Sequence, residues 1–142
     1  MREDRGPAGA AHRKAEERLR QAALEYPEAT EDFPWGERAI KVRKKVFVFM
    51  LADGSGLYVT TKLPDSAPFA VMQPFANPSG YGLGKSGWVS SKFEPGERPP
   101  IDLLCEWIDE SYRAIAPKTL VKQLDEAAGG TGSGAASTRR RR

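Results

Sequence analysis

The segment that most constrains the fold runs from residue 39 to residue 63, where apolar side chains recur with the period of a β-strand. Between residues 39 and 43, two apolar residues, Ile40 and Val42, alternate with two basic ones, so one face is apolar and the other charged. Residues 46–51 are wholly apolar, and the sequence Asp-Gly-Ser-Gly at 53–56 is typical of a tight hairpin. The pattern predicts three antiparallel strands, at 39–43, 45–52 and 57–63.

Helices are predicted on both sides of these strands. Residues 11–26 carry an apolar stripe with helical spacing that ends at Pro27, and residues 101–115 carry a continuous one. A fourth strand at 87–93, a short helix within 64–73 and a last helical segment from Pro117 to residue 124 complete the prediction, with 27–36 as a turn-rich connection. The fold class is therefore an α/β (α+β) two-layer sandwich, in which N- and C-terminal helices pack on an antiparallel sheet.

The chain divides into one domain and two flexible ends. We predict a flexible N-terminus at 1–10, a single domain at 11–128, and a disordered tail at 129–142 that is rich in Gly, Ala and Ser and ends in four arginines. No apolar run is long enough to cross a bilayer, and no secretory signal follows Met1. With a single cysteine, Cys105, these features predict a cytoplasmic protein that does not associate with membranes.

The net charge of +3 depends on the tail. Without residues 139–142, the chain has 18 basic residues against 19 acidic ones, so the domain itself is not basic. The charge is unevenly distributed, however, because residues 38–45 contain five basic groups and no acidic one, whereas residues 101–128 contain six acidic groups. An argument for an anionic partner must rest on this segregation.

Several short motifs resemble the MmcQ/YjbR family in their order and spacing. They are Phe33-Pro34-Trp35-Gly36, Lys41-Val42, Lys45-Val46-Phe47, Lys62, Lys85, Gly87-Trp88-Val89, Glu110-Ser111-Tyr112 and Ala116-Pro117-Lys118. The resemblance covers about residues 26–124 and implies a frataxin-like arrangement and a DNA-binding role. This chain departs from the family pattern at Arg43-Lys44, a turn where relatives often carry glycine, and in its arginine-ended tail.

The strand pattern independently places basic and aromatic side chains together on one face of the sheet. Lysine and arginine can neutralise phosphates, and exposed aromatic rings such as Tyr58 and Trp88 can stack on bases or sugars. The predicted function is non-enzymatic DNA binding by a basic sheet face without strong sequence preference. The predicted nucleic-acid-binding residues are Arg38, Lys41, Arg43, Lys45, Lys62, Lys85, Trp88 and Lys92.

One alternative is an interaction or adaptor protein that binds a protein or a small anionic ligand in a groove beside the loop at 81–88. A weaker one is metal binding by the acidic face of the last helix, formed by Asp102, Glu106, Asp109 and Glu110. We predict no cofactor and no metal site, and the sequence leaves the oligomeric state open.

Enzyme and nucleotide-binding readings find little support. The glycine-rich segment at 79–86 has Ser79 where a phosphate-binding loop requires glycine, and it leads into a strand instead of a helix. The only histidine, His12, is expected in a frayed helix start, and Cys105 lies on the apolar stripe of the last helix, where a thiol is normally inert. No catalytic residue is predicted.

Overall fold

A computed structural model describes residues 6–34, 36–80 and 83–130, and it contains a six-stranded sheet and four α-helices within those ranges. The helices are α1 (Gly6–Leu24), α2 (Ala67–Ala70), α3 (Ile101–Ile115) and α4 (Lys118–Gly130), and a 3₁₀ helix spans Leu83–Ser86. The strands are β1 (Ala29–Asp32), β2 (Arg38–Val42), β3 (Lys45–Asp53), β4 (Gly56–Lys62), β5 (Ala76–Pro78) and β6 (Trp88–Phe93). No helix in the described ranges is long and apolar enough to cross a membrane.

All strand pairs are antiparallel, and the order across the sheet is β1-β2-β3-β4-β6-β5. The predicted hairpin joins β3 to β4, where Asp53 pairs with Gly56 and its carboxylate accepts hydrogen bonds from the backbone N–H and hydroxyl of Ser55. Glycine is required at position 56, because φ is +139° and a Cβ there would lie 2.4 Å from the carbonyl oxygen of Phe93. The three predicted central strands are confirmed.

The helices α1 and α3 pack on one face of the sheet, chiefly on β3 and β4. That face supplies the core, and the alternation within β3 is clear, since Val48, Met50 and Ala52 are buried while Phe49 and Leu51 are not. The apolar residues that alternate along the neighbouring strands are also buried: Ile40, Val42, Leu57, Val59, Leu63, Val89 and Phe93. The two-layer α+β sandwich is therefore confirmed.

Helix α3 connects the two layers through three consecutive residues, Glu110, Ser111 and Tyr112. The Glu110 carboxylate accepts hydrogen bonds from the backbone N–H groups of Asp65 (2.9 Å) and Ser66 (3.0 Å), which fixes the segment that leads into α2. Glu110, the first residue of the Glu-Ser-Tyr motif, therefore has a structural role.

Ser111 and Tyr112 hold a β-bulge in place. The register between β2 and β3 shifts so that Phe47 has no partner on β2 and turns toward the helices. The Ser111 hydroxyl donates to the Phe47 carbonyl oxygen (2.5 Å) and accepts from the Lys62 backbone N–H (2.8 Å). The Tyr112 ring packs against Phe47 with 5.1 Å between centroids, and its hydroxyl donates to the Pro27 carbonyl oxygen. These contacts satisfy backbone groups that the bulge would otherwise leave unpaired.

Two strands were missed from the sequence. Strand β1 lies within 27–36, which was predicted as a turn-rich connection, and β5 lies between the predicted short helix and the glycine-rich loop. Both are short edge strands: β1 contains Glu31 and Asp32, which are uncommon in strands, and β5 contains Pro78, which only an edge strand tolerates.

Helix boundaries also differ from the predictions. Helix α1 begins at Gly6, inside the segment predicted to be flexible, and α4 continues to Gly130, past the predicted start of the tail. The short helix predicted within 64–73 is a single turn, α2. His12 is not frayed, since it is 2% exposed and its Nε2 lies 2.8 Å from the Glu97 carbonyl oxygen. The four terminal arginines lie outside the described residues.

Candidate nucleic-acid interface

The sheet face opposite α1 and α3, called here the open face, carries half-buried and exposed side chains from four adjacent strands. Its residues are Lys41, Val46, Phe49, Leu51, Tyr58, Thr60, Lys62, Trp88, Ser90 and Lys92. Every residue predicted to point outward on β4 and β6 lies on this face. The open face therefore combines aromatic, hydroxyl and cationic groups on one side of a rigid sheet.

The aromatic residues of the open face occupy two positions. Trp88 and Phe49 lie close together, with 6.2 Å between their ring centroids, and Trp88 is directly opposite Lys62 in the pairing of β4 with β6. Further along the same two strands, Tyr58 is opposite Lys92, whose Nζ lies 5.5 Å from the Tyr58 ring centroid. Each aromatic position thus has a lysine beside it, and this geometry suits cation–π contact.

The lysines of the open face differ in their partners. Lys41 Nζ lies 3.3 Å from an Asp32 carboxylate oxygen, and Lys92 Nζ lies 3.2 Å from one of Glu94. The hydrogen bond to Glu94 raises the pKa of Lys92. Among the described residues, Lys62 has no carboxylate within ion-pair distance. Lys62 is therefore the cation of this face whose charge is least compensated.

The turn between β2 and β3 places three basic residues at one end of the sheet. Val42 pairs with Lys45, so the turn consists of Arg43 and Lys44 alone, and both have positive φ (51° and 72°). Two-residue turns of this kind usually contain Asn or Gly, because a Cβ is disfavoured in the left-handed region. Arg43 is bound to Glu28 through its Nε (2.5 Å), whereas Lys44 and Lys45 are exposed.

Arg38 does not belong to the open face. Its guanidinium lies on the helix side, where Nε is 3.1 Å from a Glu16 carboxylate oxygen and NH1 is bound to Glu31, and its side chain is only 18% exposed. These contacts tie β1 and β2 to α1. Arg38 is thus held in an internal ion-pair network, and the structure separates it from the other predicted nucleic-acid-binding residues.

Lys85 is exposed on the 3₁₀ helix, three residues before Trp88. Gly87, with φ of +91°, turns the chain from that helix into β6, and its carbonyl oxygen accepts a hydrogen bond from the Leu63 backbone N–H. This places Lys85 near the end of the sheet at which Lys62 and Trp88 pair. Tyr81 and Gly82 in the same loop lie outside the described residues.

The structure thus brings four of the predicted residues together on one face, namely Lys41, Lys62, Trp88 and Lys92, and places Arg43 and Lys85 near its ends. Lys45 is paired with the buried Val42 and therefore lies on the helix side of the sheet. Phe49 and Leu51 were not predicted as part of the open face. Their strand is apolar throughout, so no polar alternation shows which side chains point outward. Only the register with Tyr58 and Thr60 on β4 could have assigned them.

Two of the four acidic residues of α3, Asp109 and Glu110, are engaged in structural contacts. Asp109 accepts hydrogen bonds from the Tyr26 hydroxyl (2.7 Å) and from Arg113 (2.7 Å), while Glu110 binds the start of α2. Within the described ranges, no group of three or more histidine, cysteine or acidic residues is arranged to hold a metal ion. Cys105 is partly buried on α3, and this burial raises the pKa of its thiol, which favours the unreactive protonated form.

A two-layer α+β domain with one helix-covered and one open sheet face defines the structural class of this chain. A family model described as YjbR matches residues 24–114, from the end of α1 through nearly all of α3. The chain belongs to the YjbR family. Among curated proteins, none matches it.

Proposed function

We propose that this protein binds DNA, without catalysis, through the open face of its sheet. The observation that carries the proposal is the presence of lysines beside aromatic rings on a face that α1 and α3 leave uncovered. Lysines can neutralise phosphates and release condensed counterions, while the rings contact sugars or bases. We also propose that the protein is located in the cytoplasm. The resemblance to a frataxin-like arrangement remains a prediction.

The distribution of charge supports this choice of face. The exposed carboxylates of Glu106 on α3 and of Asp125 and Glu126 on α4 belong to the helical layer, away from Lys41, Lys62 and Lys92. A nearly neutral domain can still attract a polyanion locally, because the nearest charges dominate within a Debye length of about 8–10 Å. Lys62, for which no ion pair is seen among the described residues, is therefore the strongest local attraction on the open face.

The arginines at 139–142 must be separated from the sheet in any test, since four arginines bind polyanions without specificity. We would compare the full chain with a full-length variant in which these four arginines are serine. Binding of a labelled duplex is measured by anisotropy across a salt series. If the sheet is the site, the tail variant retains binding with a log-log salt slope of about −3, as roughly three phosphate contacts predict.

Charge reversal then locates the site. In the tail variant, Lys41→Glu, Lys62→Glu and Lys92→Glu together abolish binding, because three phosphate contacts become repulsive. The matched control reverses three exposed lysines of the helical layer, Lys14, Lys118 and Lys122, which changes the net charge equally. Equal losses in both triple variants, or loss of duplex binding on changing the tail alone, would refute the sheet face as a duplex-binding site.

Recognition of a protein partner is a second candidate, favoured by two exposed apolar side chains. Phe69 on α2 is 71% exposed and Met72 just after it is 76% exposed, and α2 packs beside β5 and β6. Large apolar side chains exposed together are typical of protein contact sites. Changing both to serine leaves DNA affinity unaltered if the open face alone binds DNA, so the same assay separates the two candidates.

A further inference from the structure

The aromatic rings of the open face lie on the central strands β3, β4 and β6, with Trp88 and Tyr58 toward opposite ends of the pairing between β4 and β6. Trp88 and Tyr58 belong to the adjacent strands β6 and β4, Phe49 belongs to β3, and all three are half-buried. They are part of the floor of the face and do not stand at the tip of a loop, an arm or a helix. This position determines which form of nucleic acid they can contact.

In a duplex, the faces of the bases are stacked on one another, and only their edges are accessible in the grooves. A protein reaches those edges by inserting a helix, a two-stranded ribbon or an arm. A broad sheet face reaches a groove only by widening and bending the duplex, and rings in its floor meet base faces only where base steps are unstacked, which costs a few kcal/mol per step. A single strand presents unstacked bases that can lie flat on aromatic side chains.

The groups between the two aromatic positions suit such a strand. Thr60 and Ser90 are paired across β4 and β6, their hydroxyl oxygens are 3.2 Å apart, and the Ser79 hydroxyl oxygen lies 2.9 Å from that of Ser90. This small polar patch separates Trp88 from Tyr58. Hydroxyl groups both donate and accept, so they can contact base edges of any sequence.

The dimensions of the face also fit. Tyr58 and Lys62 are four residues apart on β4, which corresponds to about 13 Å along the strand. At about 3.4 Å per nucleotide, the rise of a strand whose neighbouring bases stay stacked, that length accommodates at most about four nucleotides. The cations lie at its ends and side, with Lys62 beside Trp88, Lys92 beside Tyr58, and Lys41 across β3.

We propose that the open face binds a single strand of about four nucleotides, with bases stacked on Trp88, Phe49 and Tyr58 and phosphates held by Lys62 and its neighbours. This inference rests on the proposed function, and it replaces a duplex by a single strand as the ligand of the same face. Single-stranded DNA and single-stranded RNA share the features that this face would recognise, namely exposed base faces and a chain of phosphates, so either can be the ligand.

The test uses the full-length chain with the four terminal arginines changed to serine. Its affinity is measured for a 12-nucleotide oligothymidylate, the corresponding oligouridylate and a 12-base-pair duplex, at one salt concentration. We expect at least one of the single strands to bind at least tenfold more tightly than the duplex, and the comparison of the two identifies the sugar. A series of oligothymidylates or oligouridylates should lose affinity steeply below about four nucleotides.

Stacking is separated from charge by two kinds of variant. Trp88→Leu and Phe49→Leu remove a ring without changing charge, so each lowers single-strand affinity by about 5- to 100-fold and leaves the salt slope unchanged. Lys62→Gln keeps the rings and reduces the slope by about 0.7. Trp88→Phe keeps an aromatic face and restores most of the affinity, which shows that a loss in Trp88→Leu comes from the missing ring and not from misfolding.

The outcomes distinguish the inference from the function on which it rests. If the duplex binds as tightly as either single strand and Trp88→Leu binds normally, the single-strand inference is overturned while DNA binding by the open face stands. If neither form binds to the tail variant, both fail. Tight single-strand binding that depends on Trp88 and is rescued by phenylalanine confirms the inference.

Discussion

At the scale of single residues, the turn between β2 and β3 retains charge at a conformational cost. Arg43 and Lys44 both occupy the left-handed region, with φ of 51° and 72°, where a side chain costs about 1–2 kcal/mol per residue. Arg43 gains an ion pair with Glu28 in return. For Lys44, no ion pair within the described residues offsets the cost, so the lysine is retained against the backbone preference of the turn.

This strain predicts that Lys44→Gly stabilises the protein. Glycine adopts positive φ freely, and after its greater entropy in the unfolded chain is subtracted, the free energy of unfolding should rise by about 0.5–1 kcal/mol. The matched control is Lys45→Gly, one residue later in β3, where glycine should be destabilising by a similar amount. Urea unfolding of the three proteins measures both. A lower midpoint for Lys44→Gly than for the unchanged chain would show that the turn is not strained.

At the scale of the elements, α1 is joined to β1 and β2 by a network of ion pairs. The Glu31 carboxylate on β1 accepts hydrogen bonds from Arg20 on α1 (2.7 Å and 3.1 Å) and from Arg38 on β2. Arg38 also binds Glu16 of α1. The pKa of Glu31 is held below its ordinary value of 4.5. The hydrogen bond from Arg20 is the largest cause, and the hydrogen bond from Arg38 makes a smaller contribution. The network compensates for the weak strand propensity of β1.

The lowered pKa of Glu31 predicts how stability depends on pH. Because the folded state favours the carboxylate, its contribution is complete above the unfolded value near 4.5 and is lost as the pH falls through the lower pKa of the folded state. Glu31→Gln should therefore unfold more easily than the unchanged chain at pH 7, and the difference should shrink steadily below pH 4.5. Thermal unfolding at several pH values measures it, and Glu25→Gln, outside the network, is the control. A difference that stays constant down to pH 3 would contradict the assignment.

The elements also show what the sequence could and could not predict. Strands β3 and β4 and helix α3 were predictable because apolar periodicity and the Asp-Gly-Ser-Gly turn are local signals. The edge strands were not, since β1 is formed by pairing with β2 and by the contacts of Glu31, which are distant in sequence. The wrong placement of Arg38 has the same cause. Arg38 is close in sequence to Lys41, but its ion pair with Glu16, which is distant in sequence, holds its side chain on the helix side.

At the scale of the whole molecule, the proposed partner meets a domain whose helical layer carries charges of both signs. Its exposed carboxylates on α3 and α4, such as Glu106 and Glu126, repel an approaching polyanion over long range, although Lys118 and Lys122 lie on the same layer. Carboxylates that do not touch the ligand should act mainly on the rate of association, because their long-range repulsion changes little once the complex has formed.

Neutralising two such residues should therefore accelerate binding. In the chain with a serine-substituted tail, Glu106→Gln and Glu126→Gln together should raise the association rate for a single-stranded oligonucleotide by about two- to fivefold at low salt. Both residues are exposed on the helices, so the dissociation rate should not change. Stopped-flow fluorescence at about 20 mM and 300 mM salt measures both rates, and the acceleration should disappear at the higher concentration, where the Debye length falls to about 6 Å. A changed dissociation rate would place the ligand against the helices and would contradict binding at the open face.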